Sequence, residues 1–192
     1  MKIFKNRMGF SMIELLSAMV VLGLIVGIAV PAISETINKT RNKTYVSDSL
    51  KLISNAEYQF RKDNSLPKPT KSRCIVMSLV YLNNGVFDEA PNGGEYLRNK
   101  SFVVAVNDSL TNETKYYVRL VEDRGNSEYR GIDLNSKDEL NEEAAYNYVT
   151  NFEGNSLYSI AGSDSGVILG NIKSKISQCS SIHIYAPDSG EE

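Results

Sequence analysis

Leu15 to Ser34 is a run of twenty residues without a formal charge. At about 1.5 Å per residue it makes roughly 30 Å of helix, the thickness of a bilayer's hydrocarbon core. A buried helix of a globular core is rarely so uniform. The wider stretch from Phe10 to Ser34 has 18 hydrophobic residues among 25, and Glu14 is its only charged side chain. A cleaved secretory signal fits poorly. Its apolar region would be about 7–15 residues and would end at a small-x-small site. Here the run is longer, Ala29-Val30-Pro31-Ala32 has the wrong spacing, and no nearby cysteine can accept a lipid. The segment is therefore expected to stay on the mature chain as a single membrane span.

The whole-chain averages conceal this segment: 42% hydrophobic, 23% charged, 21 basic residues against 23 acidic ones. Such a balance argues against a disordered chain, a polytopic membrane protein or a nucleic-acid binder. Lys2, Lys5 and Arg7 precede the apolar run, and Lys39, Arg41 and Lys43 follow it. The flanks tie by lysine and arginine count, so charge alone does not orient the span. Glu14 is the anomaly, because a carboxylate at mid-bilayer costs about 2.5–3.5 kcal/mol. It reads equally as an interfacial acid favoured by the helix dipole or as an acid that meets a cation when subunits pack.

Lys5-Asn6-Arg7-Met8-Gly9-Phe10-Ser11-Met12-Ile13-Glu14-Leu15-Leu16 resembles the N-terminal signature of type IV pilins and pseudopilins. That signature is a short basic leader ending in glycine, an aromatic residue, a serine or threonine, two aliphatics, a glutamate and two leucines. Pro31 stands where such helices usually carry a proline. The resemblance covers about the first 35 residues, and Met8 departs from it, since a basic residue is commoner before the glycine. It implies cleavage after Gly9 by a prepilin peptidase and N-methylation of the new terminus at Phe10. It also implies that Glu14 pairs with the Phe10 amine of a neighbouring subunit during assembly, which gives the costly charge a partner. Loss of residues 1–9 would leave 18 basic against 23 acidic residues, a side-chain charge of −5. Gly23 and Gly27 form a GxxxG that suits close helix packing. Pro31 lacks the N–H that would bond Gly27, so 23–31 is the expected soft part of the helix.

Beyond the span, Ile33, Ile37, Val46, Leu50, Ile53, Ala56 and Phe60 recur at roughly helical spacing, and Pro67 supplies a stop. One helix from Phe10 to about Asn64 is expected, and so long a helix suggests an elongated molecule. The organisation read from the chain is a leader at 1–9, an apolar transmembrane and assembly helix at 10–34, its amphipathic continuation at 35–65, and an α+β head at 66–192. In the head, Lys68 to Arg73 reads as a solvated basic connector and Cys74 to Leu82 as a short helix. Pro91-Asn92-Gly93-Gly94 reads as a turn, and Phe102–Asn107 and Tyr116–Val121 as an antiparallel pair. Tyr129–Leu134 and Ser181–Ala186 read as further strands, and Asp138 to Val149 as an acidic helix. The expected result is an antiparallel sheet laid across the outer half of the long helix.

Motifs for chemistry are lacking in the sequence. His183 is the single histidine, and it alternates with Ile182 and Ile184 as a strand residue would. No Walker loop, dinucleotide fingerprint or Gly-x-Ser-x-Gly occurs. Asp133 to Asp138 begins like an EF-hand, but Lys137 takes a ligand position and Asp138 replaces the turn glycine. Asp138, Glu139, Glu142 and Glu143 therefore read as a solvated acidic face. No metal, cofactor or catalytic residue is expected. The Asn-x-Ser/Thr triplets at Asn38, Asn42, Asn99, Asn107 and Asn112 read as chance. The eleven tyrosines read as packing and subunit contacts rather than base stacking. Cys74 and Cys179, the only cysteines, either stay reduced and buried or form a disulfide if the head is exported, as many pilins do near the C terminus.

The resemblance implies a structural subunit of a type IV pilus, stored in the cytoplasmic membrane and assembled through its helix into a surface fibre for adhesion, motility or aggregation. Its partners would be copies of itself, other pilin subunits, the prepilin peptidase and the pilus assembly machinery. A pseudopilin of a type II secretion or DNA-uptake machine shares the same N terminus. A single-pass anchor carrying a receptor or enzyme domain is the third reading.

Overall fold

The computed structural model describes residues 9–64, 66–82, 87, 89–98, 100–123, 129–146, 170 and 172–185. Residues 1–8 of the expected leader, residues 83–86 and the end of the 138–149 segment lie outside them. The chain divides into two compact units, Met1–Thr40 and Arg41–Glu192.

A single helix, α1 (Met12–Lys62), begins in the first unit and continues into the second. It runs without interruption through Gly23, Gly27 and Pro31. Arg61 and Lys62 occupy its last turn, where cations complement the helix dipole.

In the second unit α1 buries Tyr45, Asp48, Ser49, Leu52, Ile53 and Ala56, which recur at spacings of three and four. The stripe differs from the one read in the sequence. Leu50 is 37% exposed and Ile37 44% exposed, while Ile53 and Ala56 are buried and Val46 and Phe60 partly so. Two polar residues lie inside the buried stripe, and a count of apolar positions passes over them.

Among the described residues the sheet has seven strands: β1 (Arg73–Ser78), β2 (Glu95–Tyr96), β3 (Phe102–Asn107), β4 (Thr114–Asp123), β5 (Tyr129–Ser136), β6 (Ala145–Tyr146) and β7 (Ser181–Tyr185). Its order is β6-β5-β4-β3-β1-β7, with β2 pairing the far end of β4. The β3–β4 hairpin and the strands at Tyr129 and Ser181 lie where the sequence placed them.

Three expectations are corrected. The sheet is mixed, because β7 runs parallel to β1 with Cys74 opposite Ile182. A strand reached through a long connection is free of the hairpin constraint that fixes antiparallel neighbours. Cys74-Ile75-Val76-Met77 is strand, followed by a single helical turn, α2 (Leu79–Leu82). Its continuous apolar run is that of a strand covered on both faces. The acidic stretch forms two 3-10 turns, Lys137–Glu139 and Glu142–Ala144, and then β6. There the Asn141 side chain accepts from the N–H groups of Glu143 and Ala144, a local bond that competes with helix.

Both faces of the sheet are covered. Ile75, Met77, Val103, Ala105, Val118 and Ile132 pack with the buried residues of α1. Cys74, Val76, Phe102, Val104 and Val106 pack on the other face with Ile172, Ile176 and Cys179. A bulge lets β5 serve both. Arg119 faces two residues, Asp133 and Leu134, between the Val118–Asn135 and Leu120–Ile132 pairs, and Leu134 takes φ 45°. Ile132 therefore joins the helix-side core and Leu134 the opposite one, although plain alternation would put them on the same face.

Candidate functional site

Gly9, Phe10 and Ser11 precede the first turn of α1 and are non-helical and exposed, Phe10 at 88%. Ser11 then opens the helix. Its hydroxyl accepts from the Glu14 N–H at 3.3 Å, while Glu14 Oε2 accepts from the Ser11 N–H at 2.8 Å and from its hydroxyl at 3.0 Å. This reciprocal Ser-x-x-Glu arrangement is a capping box, and it satisfies two of the donors that a helix start leaves open. Ser11-Met12-Ile13-Glu14 carries that pattern in the sequence, so the local role of Glu14 was legible there. The carboxylate is thus held in place within its own chain, beside the positive end of the helix dipole.

The following apolar side chains face outward all round the helix. Leu15, Leu16, Met19, Val20, Leu22, Leu24 and Ile25 are each more than half exposed, and no residue in the most apolar window of α1 is buried. Apart from the helix's own backbone, nothing described lies within 4 Å of a Cβ placed on Gly23 or Gly27. Such a helix is long and apolar enough to cross a membrane.

The remaining residues singled out in the sequence lie in the second unit. Cys74 and Cys179 form a disulfide, with Cα atoms 5.5 Å apart, tying β1 to the segment before β7. His183 is exposed on β7 with its ring 4.7 Å from that of Tyr185. The acidic residues serve local structure: Glu139 accepts from the Ser136 N–H at 2.9 Å, and Glu142 lies 3.4 Å from Lys43. The Ser136 bonds hold Glu139 below the usual carboxylate range. Among the described residues no three His, Cys, Asp or Glu side chains converge as a metal site would require.

A buried polar cluster escaped the sequence. Glu122 on β4 is fully buried and accepts a hydrogen bond from the Tyr45 hydroxyl of α1. Asn92 Nδ2 reaches the same Glu122 oxygen at 2.9 Å and the Tyr45 hydroxyl at 2.6 Å, and the Gly94 N–H reaches the other oxygen at 3.3 Å. Nearby, the Tyr96 hydroxyl donates to Asp48 at 2.9 Å, and Lys51 Nζ also meets Asp48 at 2.9 Å. Burial, with Glu122 beside Tyr45 and Asp48 beside Tyr96, pushes both phenols well above their ordinary range. These groups hold a proton rather than exchange one near neutrality, so the cluster acts as a fastener between α1, the 91–96 turn and β4.

No protein-family model, characterised protein or solved structure matches this chain.

Proposed function

We propose that this chain is a structural subunit of type IV pilin character, held in the cytoplasmic membrane by α1 and polymerised through that helix into a surface fibre. The observation that carries the reading is Glu14: one carboxylate at the head of an apolar helix exposed on every side, directly after an exposed, non-helical Gly9-Phe10. A peptidase needs an accessible bond at its cut, and Gly9-Phe10 is exposed and outside the helix. Cleavage there leaves Ser11 in the mature chain, so the capping box survives processing. A subunit arriving with a free Phe10 amine then brings Glu14 the positive partner that an apolar medium demands. The exposed apolar side chains contact lipid before assembly and neighbouring helices after it. No cofactor enters this role, and the head supplies subunit specificity and the outer surface.

The test is Glu14→Ala in cells that express the assembly machinery. The variant is expected to reach the membrane and be cut normally, while sheared surface fibres fall at least tenfold. Normal fibre yield would remove Glu14 from the assembly mechanism. Shearing the unaltered chain separates the two members of the class: recovery in fibres supports a pilin, and retention in the membrane a pseudopilin.

A further inference from the structure

The last turn of α1, the connection to β1 and the start of β4 enclose an open cavity of about 300 Å³. Phe60, Tyr116 and Pro69 form its apolar wall, Arg61 and Lys68 supply cations, and Glu57 and Thr114 supply oxygens. A second cavity of about 210 Å³ shares Glu57, Thr114 and Tyr116 and continues to Lys115 and Lys137. The two adjoin along these shared residues and make one groove.

The groove is built rather than incidental. The rings of Phe60 and Tyr116 lie 6.4 Å apart and tilted by 52°, and Pro69 is buried. The connection is fixed by the Thr70 N–H donating to the Arg73 carbonyl at 2.9 Å. Glu57 is held by Lys137 Nζ at 2.8 Å, whereas Arg61 stands 4.0 Å from Glu57, too long for a hydrogen bond. The larger cavity therefore carries a surplus of positive charge beside an aromatic wall.

This combination selects a ligand chemistry. Arg61 and Lys68 suit a carboxylate, for which a guanidinium offers a planar fork of donors. Phe60 and Tyr116 suit the apolar C–H face of a pyranose ring. Glu57 and Thr114 accept hydrogen bonds from hydroxyls. Glu57, with Glu113 and Asp138 further along, opposes the dense negative charge of a phosphodiester backbone. A volume of about 300 Å³ lies at the lower end for small-molecule sites, about 300–1,000 Å³. We propose that this groove binds a sugar acid, with the carboxylate between Arg61 and Lys68 and the ring against Phe60 and Tyr116. Binding of this kind does not depend on whether the chain polymerises.

The test uses the full chain in detergent micelles with trigalacturonate as probe, by calorimetry and saturation-transfer NMR. Saturable binding is expected at one site, with transfer to the ring protons. The fully methyl-esterified trisaccharide is expected to bind at least about tenfold more weakly, as follows from losing a charge-assisted hydrogen bond. Arg61→Gln and Lys68→Gln, both at exposed positions, are each expected to weaken binding at least fivefold with unchanged melting. Lys173→Gln, on the opposite side of the sheet, should leave it unaltered. The proposal is overturned by the absence of saturable binding, by equal affinity for the methyl ester, or by equal or tighter binding of triglutamate or a short oligothymidylate at the same ionic strength.

Discussion

Glu122 shows what a buried carboxylate requires of its neighbours. Its oxygens are met by Tyr45, Asn92 and the Gly94 N–H, residues far from it in the sequence. Tyr45→Phe keeps the ring and removes one donor, so it is expected to cost about 1–3 kcal/mol in denaturant unfolding. The same variant alters the pH dependence. Both Tyr45 and Tyr96 have raised phenol values in the folded chain, so their contribution is complete below about pH 10, where the unfolded phenols begin to ionise. Above that pH stability declines, and Tyr45→Phe should show a shallower alkaline decline than the unaltered chain. Gly131 is the second position at which one residue decides. At φ 145° a Cβ would meet the Leu120 carbonyl oxygen at 1.9 Å, so Gly131→Ala should lower the melting temperature sharply or prevent folding. Glu14 was legible in the sequence because it stands alone in an apolar run, whereas Asp48 and Glu122 look like ordinary surface acids until the fold brings Tyr96 and Tyr45 to them.

Elements were read best where one local signal dominated. The two apolar runs read as Phe102–Asn107 and Tyr116–Val121 place β3 and β4 correctly, and Asp108 secures their connection by accepting from the Leu110 N–H at 2.8 Å and pairing with Lys115 at 2.5 Å. The Lys115 bond is the main cause that holds the Asp108 carboxyl below its ordinary value. The sequence of β1 is ambiguous, because four apolar residues in a row fit a helix as well as a strand buried on both faces, and only the partners β3 and β7 distinguish them. The parallel pairing of β7 was out of reach, since nothing local fixes the direction of a strand that returns across 105 positions, the span of the disulfide. Closing a loop of that size is worth about 4–5 kcal/mol in the chain-entropy picture. Replacing Cys74 and Cys179 together by serine is therefore expected to lower the unfolding free energy of the second unit by several kcal/mol. Cys179 also lies in the core opposite α1, with Val76 and Ile172, so packing contributes to that loss.

At the scale of the whole molecule, the chain combines parts whose averages cancel. Three basic residues within 1–9 offset an acidic remainder, and an exposed apolar helix raises the hydrophobic fraction of a polar head. The second unit buries its own core on both faces of one sheet, while among the described residues the large apolar side chains of α1 from Met12 to Ile37 are exposed. On the proposed reading such a helix is covered by lipid and then by neighbouring subunits, and the proposed cut after Gly9 would turn its anomalous acid into an assembly contact. The most direct measurement of this account is the N-terminal residue of the cellular protein, read by mass spectrometry in cells with an active prepilin peptidase. The account predicts a chain that begins at N-methyl-Phe10, lighter by residues 1–9. A chain that still begins at Met1 under those conditions would contradict it.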